Sequence, residues 1–206
     1  MRSDNSGFSL LEMMVVSAII GIVAAIAIPQ ALSALKGYRL HSDATSIASY
    51  VNLARMRSAS QYAPYRLVVN IAAGTYWMEK LCGITTTTTD PACTSPYAAY
   101  TTPQLEFGTQ YTLQGDIFLS CRPAFITGTA YPATITGDLS PCPDPVYMYF
   151  NTRGAPVDNT GNPLGNGGAV VYVINQNNLV DAVSTSLGGR AAAWAYSPNS
   201  TSWVMR

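Results

Sequence analysis

Charge is what this sequence has least of: 11 Lys and Arg residues face 11 Asp and Glu residues across 206 positions, for a formal net charge of zero. Neither sign is in excess, so composition points to no polyanionic or polycationic partner held by bulk attraction. Histidine occurs once, as His41, which the helical pattern around it puts on the solvent side of a helix. A nucleophilic triad needs a base oriented beside its nucleophile, and one isolated imidazole supplies none. P-loop and dinucleotide fingerprints are absent. Asp116, Asp138 and Asp144 are scattered among turn residues and read as turn formers rather than as a catalytic carboxylate pair. The chain is therefore expected not to be an enzyme and to carry no cofactor, no metal and no small-molecule ligand.

Cysteine is scarce as well. Cys82, Cys93, Cys121 and Cys142 are widely spaced, with no Cys-x-x-Cys pair for zinc or redox chemistry. In an oxidising compartment they are expected to pair. Three connectivities are open; the local one, Cys82 with Cys93 and Cys121 with Cys142, rearranges chain order least. It ties off "CGITTTTTDPAC" and "CRPAFITGTAYPATITGDLSPC", turn-rich excursions with too little apolar surface to hold themselves.

What the sequence has in excess is one apolar run, "GFSLLEMMVVSAIIGIVAAIAIPQ". From Phe8 to Ile28 nearly every residue is apolar or small, enough for a helix to cross a hydrocarbon layer of about 30 Å at about 1.5 Å per residue. Ser9, Glu12, Ser17 and Gly21 form no polar face at a period of 3.6, which speaks against a soluble core helix. An ordinary signal peptide is the competing reading, with Arg2 as its basic start and "AIA" at Ala25 to Ala27 as a cleavage site. Glu12 opposes it: a carboxylate at membrane depth costs several kcal/mol and persists where it has a partner or a function.

Past Pro29, which is expected to kink the helix or mark its exit from lipid, the helical pattern continues. Leu40, Ala44, Ile47, Val51 and Ala54 draw one apolar stripe, with Arg39, Asp43, Asn52, Arg55 and Arg57 on other faces. That stripe is expected to pack on a β-sheet of the same chain. From Tyr65 the pattern becomes that of strands: "YRLVVNI" and "TYWMEKL" around a Gly-containing turn, then "DIFLSC", "VYMYFN", "AVVYVIN", "LVDAVST" and "AAAWAYS". The expected fold class is α+β, a long N-terminal helix packed on a largely antiparallel sheet.

A short polar leader ending in Gly7, then Phe8, then Glu12 as the fifth residue after the glycine, then an apolar stretch ending at Pro29, resembles the class III signal of type IV prepilins and pseudopilins. The resemblance implies that prepilin peptidase cuts after Gly7 and methylates the new amine of Phe8, and that Glu12 pairs with the N-terminal amine of a neighbouring subunit. It divides the chain into a leader (1–7), a transmembrane and assembly helix (8–28), its amphipathic continuation (29–60) and a β-rich globular domain (61–206). The protein is then a single-pass inner-membrane chain with its domain in the periplasm or in a periplasmic or extracellular fibre. Its expected partners are other pilin or pseudopilin subunits.

"ARMRSASQYAPYRLVV", "FNTRG", "AVVYVIN" and "GGRAAAWAY" are similar to segments of H-type minor pseudopilins of type II secretion and related minor pilins of type IV pili, from which the two cysteine loops and the "TTTTT" run depart. Some minor pilins of that branch bind DNA through a motif that begins Gly-Arg with a second arginine two residues on. Here Gly189 and Arg190 are followed by Ala191 and Ala192, so half of it is present. Arg153, Arg190 and Arg206, with Trp194 and Trp203, are the candidate nucleic-acid contacts. The competing reading makes Arg190 the end of a Gly-Gly hairpin turn and the tryptophans packing residues. Three functions are thus in view: a structural pilin or pseudopilin subunit, a DNA-uptake pilin, and an exported enzyme or binding domain with an ordinary signal peptide.

Overall fold

The computed structural model describes residues 9–80, 110–121, 126, 144–164, 169–197 and 202–205. It divides into two units, Met1–Tyr38 and Arg39–Arg206. One helix, α1 (Leu10–Gln61), contributes to both. Pro29 lies inside α1 without ending it; the single missing N–H does not outweigh the helical bonds on either side. In the first unit the large apolar side chains from Leu10 to Tyr38 are exposed. α1 is long and apolar enough to cross a membrane.

In the second unit α1 turns Leu40, Ala44, Ile47, Ala48, Val51 and Ala54 inward, steps of three and four that keep one face on the core. Three polar residues depart from the expected face. Asp43 is buried, because it shares the face of Leu40 and Ile47; the Gln114 backbone N–H donates to its Oδ2 at 3.1 Å. Asn52 is half-buried and its Oδ1 accepts the Ala191 N–H at 3.1 Å. His41 stands against Asp181, Nδ1 to Oδ2 3.1 Å, rather than pointing only to solvent. In each case a buried backbone or carboxyl group needs the polar side chain as a partner, which helical period alone does not reveal.

The strands are β1 (Tyr65–Asn70), β2 (Thr75–Lys80), β3 (Tyr111–Thr112), β4 (Ile117–Ser120), β5 (Val146–Phe150), β6 (Pro156–Val157), β7 (Val170–Asn175), β8 (Val180–Thr185), β9 (Ala191–Ser197) and β10 (Ser202–Met205). They form two five-stranded sheets, β3-β2-β1-β5-β6 and β10-β9-β8-β7-β4, in place of the one expected, and every pairing is antiparallel. The alternate residues Tyr65, Leu67 and Val69 of β1 and Val171 and Val173 of β7 lie in one cluster with the helix stripe, so both sheets share a single core under α1. Side chains such as Tyr65, Leu67, Val51 and Val171 are fully buried, each contributing about 1.5–3 kcal/mol through removal from water. The second sheet covers its other face with Tyr172, Ala182 and Trp194, against which Trp203 and Tyr196 pack.

Turn chemistry fixes the hairpins. Asn151 Oδ1 accepts the N–H of Arg153 and of Ala155, both at 3.0 Å, and Asn175 Oδ1 accepts those of Asn177 and Leu179. Asp144 reaches across the chain to cap the β1–β2 turn, its carboxyl accepting the Ile71 and Ala72 N–H groups at 2.8 and 3.1 Å. Asp144 therefore serves a turn of another segment, while Asp138 lies outside the described residues.

Candidate functional site

The apolar helix starts with a local device that periodicity does not show. Ser9 Oγ accepts the Glu12 backbone N–H at 3.2 Å, the arrangement of an N-cap serine three residues before a glutamate. Glu12 stands in the first turn, where its charge complements the positive end of the helix dipole. Ser17 is satisfied internally, its hydroxyl donating to the Met13 carbonyl at 2.8 Å, so this hydroxyl is not left unpaired in the apolar run. Glu12 is exposed and is the one acidic residue of that first turn. Gly7 and Phe8, the expected cleavage and methylation positions, lie outside the described residues.

Of the expected nucleic-acid contacts, Arg153 and Arg190 are exposed, and Arg206 lies outside the described residues. Arg153 and Arg190 flank glycines in two turns that touch. Gly154 (φ +75°) and Gly189 (φ +77°) are both in the left-handed region, and a Cβ on Gly189 would stand 2.7 Å from the Gly154 carbonyl oxygen and 3.0 Å from Arg55 Cδ. The stem of Arg55 thus lies where the two turns close on α1. The Ser186–Arg190 turn is further tied by Gly189 N–H to Ser186 O at 2.8 Å and Arg190 N–H to Ser186 Oγ at 3.2 Å. This accounts for "GGR" as hairpin geometry. Both tryptophans are packing residues: Trp194 is buried and donates Nε1–H to Ser184 Oγ at 2.8 Å, and Trp203 leans on Tyr172 and Tyr196.

On the first sheet's other face, Arg66 of β1 and Glu79 of β2 are cross-strand partners and form a largely buried ion pair, with Arg66 Nε to Glu79 Oε2 at 2.6 Å. Trp77 Nε1–H donates to the other Glu79 oxygen at 2.7 Å, and the Arg66 guanidinium lies 4.5 Å from the centre of the Tyr147 ring. Nearby Tyr149 is raised above the ordinary phenol value, by burial first and against the pull of the Arg66 charge. This network satisfies a buried carboxylate; it was not legible in the sequence because Arg66 and Glu79 meet only through register.

Cys121 follows directly after β4 and is buried in the main core, while Cys82, Cys93 and Cys142 lie outside the described residues. Among the described residues no group of three His, Cys, Asp and Glu side chains is placed to hold a metal ion.

The family model for the prokaryotic N-terminal methylation motif matches residues 2–28. The N-terminus carries the prokaryotic N-terminal methylation motif. The match takes in Gly7, Phe8 and Glu12 and the apolar first part of α1. No curated protein matches the sequence. Two solved structures of the minor pseudopilin EpsH from the type II secretion system of Vibrio cholerae are similar to the chain at 11% and 12% identity. They cover 74% and 75% of it and 94% and 92% of their own length, each with a TM-score of 0.44.

Proposed function

We propose that the chain is a structural subunit, a minor pilin or pseudopilin, that assembles through α1 into a type II secretion pseudopilus or a type IV pilus. The observation that carries the reading is the prepilin motif on residues 2–28, set at the start of a helix that continues from an exposed apolar half into the core of a β domain. A helix of this kind serves two solvents: its first half suits lipid or neighbouring helices, and its second half is the central element of the domain. The partners are prepilin peptidase, the inner membrane and other subunits, with the domain on the periplasmic side or in the fibre. The chemistry at Gly7 and Phe8 is done to this chain rather than by it. Among the described residues no observation favours DNA uptake, since Trp194 and Trp203 are taken up in packing and Gly189 in a turn.

The mature protein is expected to begin at Phe8 with a methylated amine. Intact mass and mass spectrometry of the N-terminal peptide check this, and a mature start near Ile28 would replace the pilin reading with an ordinary exported domain. All four cysteines are expected to be oxidised, with Cys82 bonded to Cys93 and Cys121 to Cys142. Alkylation of the protein without reductant should label none, and a peptide map showing crossed bridges would contradict the local pairing.

A further inference from the structure

Gly154 and Gly189 meet over a helix side chain, and each of their turns carries an arginine of its own. Arg153 precedes Gly154, Arg190 follows Gly189, and both are exposed. Between the turns lies the stem of Arg55, which is half-buried. A Cβ on Gly154 would stand 3.2 Å from its Cγ, and one on Gly189 3.0 Å from its Cδ and its Nε. Cations from three separate segments, α1, the β5–β6 turn and the β8–β9 turn, are thus gathered at one rim. Both glycines take a positive φ, +75° and +77°, so two positions do without a side chain where Arg55 is laid.

None of the three has a counter-charge among the described residues. Arg39 and Arg66 face carboxylates, Asp116 at 3.7 Å and Glu79 at 2.6 Å, whereas Arg55, Arg153 and Arg190 form no ion pair and no side-chain hydrogen bond there. Asp158, the next carboxylate along the chain from Arg153, is taken up by its own turn, where Oδ1 accepts the Thr160 and Asn162 N–H groups at 2.8 and 2.9 Å. A guanidinium held half-buried without an anion is unfavourable, and its planar fork is pre-organised for an oxyanion. In the same turn as Arg190, Leu187 is 60% exposed.

We propose that Arg55, Arg153 and Arg190 form a recognition site for the carboxylates of an acidic segment of a partner protein, with Leu187 as the apolar contact beside them. Three observations favour a protein over a nucleic acid. The cations are confined to one pair of turns instead of tracking a backbone. Trp194 and Trp203 are taken up in packing and offer bases no stacking face. The exposed leucine suits a segment that mixes apolar and acidic side chains. The site stands on the globular unit alone and does not rest on the fibre reading.

Fluorescence anisotropy of labelled probes tests it on the full chain in uncharged detergent micelles, at about 50 mM and about 150 mM salt. The probes are hexaglutamate, the peptide Glu-Glu-Leu-Leu-Glu-Glu and a DNA duplex of about 12 base pairs. The leucine-bearing peptide should bind saturably, more tightly than hexaglutamate, and more weakly at the higher salt. The double variant Arg153→Ala with Arg190→Ala should melt like wild type and bind this peptide roughly tenfold more weakly, the loss of two exposed ion pairs. Leu187→Ser should reduce its affinity to that of hexaglutamate, and Lys80→Ala, on the other sheet, should leave it unchanged. Arg55→Lys keeps the charge but not the fork and should bind several-fold more weakly; if it fails to fold, the exposed pair decides alone. Absence of saturable peptide binding, or undiminished binding in the double variant, overturns the site. A duplex held more tightly than the leucine-bearing peptide at about 150 mM salt, and released by the same two substitutions, overturns the protein partner and assigns the arginines to nucleic acid.

Discussion

Gly189→Ala is expected to destabilise the globular unit by about 2–4 kcal/mol, lowering Tm by roughly 4–16 °C. Two effects add. The residue sits at φ +77°, where an L side chain costs about 1 kcal/mol or more. The new Cβ would also stand 2.7 Å from the Gly154 carbonyl and 3.0 Å from Arg55 Cδ and Nε, and two of these three atoms belong to a helix side chain already pressed between turns. Gly154→Ala should be of similar size, since its Cβ would meet the Arg55 carbonyl at 3.0 Å at φ +75°. Because both glycines close on Arg55, the double variant should cost less than the sum of the two singles. Gly188→Ala is the control: in the same turn its Cβ would meet only Ser186 Oγ at 3.8 Å, so the change should be near neutral. Gly189→Asn separates the two effects, because asparagine tolerates the positive φ but keeps the clash. Thermal and denaturant unfolding of the full chain in micelles measure the series. Equal stability of the Gly188 and Gly189 variants would show that the two turns do not depend on their close approach.

The strands differ in how plainly their residues announce them. β1, β2, β5, β7, β8 and β9 were legible because β-branched and aromatic residues run through them between clear punctuation, and "AAAWAYS" matches β9 from end to end. β3 and β6 have two residues each, too few for any period to register, and β6 opens with Pro156. Proline reads as a strand breaker, yet β6 is the edge strand of its sheet, where a missing N–H leaves no ladder position empty. That the strands split into two sheets was not legible either, since alternation tells which face of a strand is buried but not which strand lies beside it. Glu79 and Asp43 are buried carboxyls for the same reason: their partners Arg66 and Gln114 arrive from other segments. For the candidate site the motif around Gly7 and Glu12 was plain in the sequence. The Ser9 cap was not legible there, because a serine at the edge of an apolar run shows itself as a cap only through the Glu12 N–H it accepts.

Glu12→Ala is expected to leave insertion into the membrane intact or improved, since removing a carboxylate from the lipid phase is favourable by a few kcal/mol. Processing should also survive, because Gly7 and the apolar run remain. If Glu12 pairs with a neighbouring subunit's amine, assembly should fall by roughly a hundredfold or more, the effect of leaving that amine buried without its counter-charge at a cost of about 3–5 kcal/mol. A capping box, in which the Glu12 side chain would reach back to the start of the helix, is the rival explanation to keep apart, because Ser9 Oγ already accepts the Glu12 backbone N–H. Glu12→Gln divides the two. Glutamine serves the cap as well as glutamate does, so a capping role predicts that the Gln variant assembles like wild type; a charge role predicts that it fails like the Ala variant. Ser9→Ala removes the acceptor of the Glu12 N–H and keeps the charge, so it should cost about 1 kcal/mol of helix stability and leave most assembly in place. The ratio of fibre-associated to membrane-resident protein in sheared cells reads all four chains. Wild-type incorporation of the Gln variant would refute charge pairing in favour of the cap, and loss of the Ala variant from the membrane fraction itself would move Glu12 from assembly to targeting.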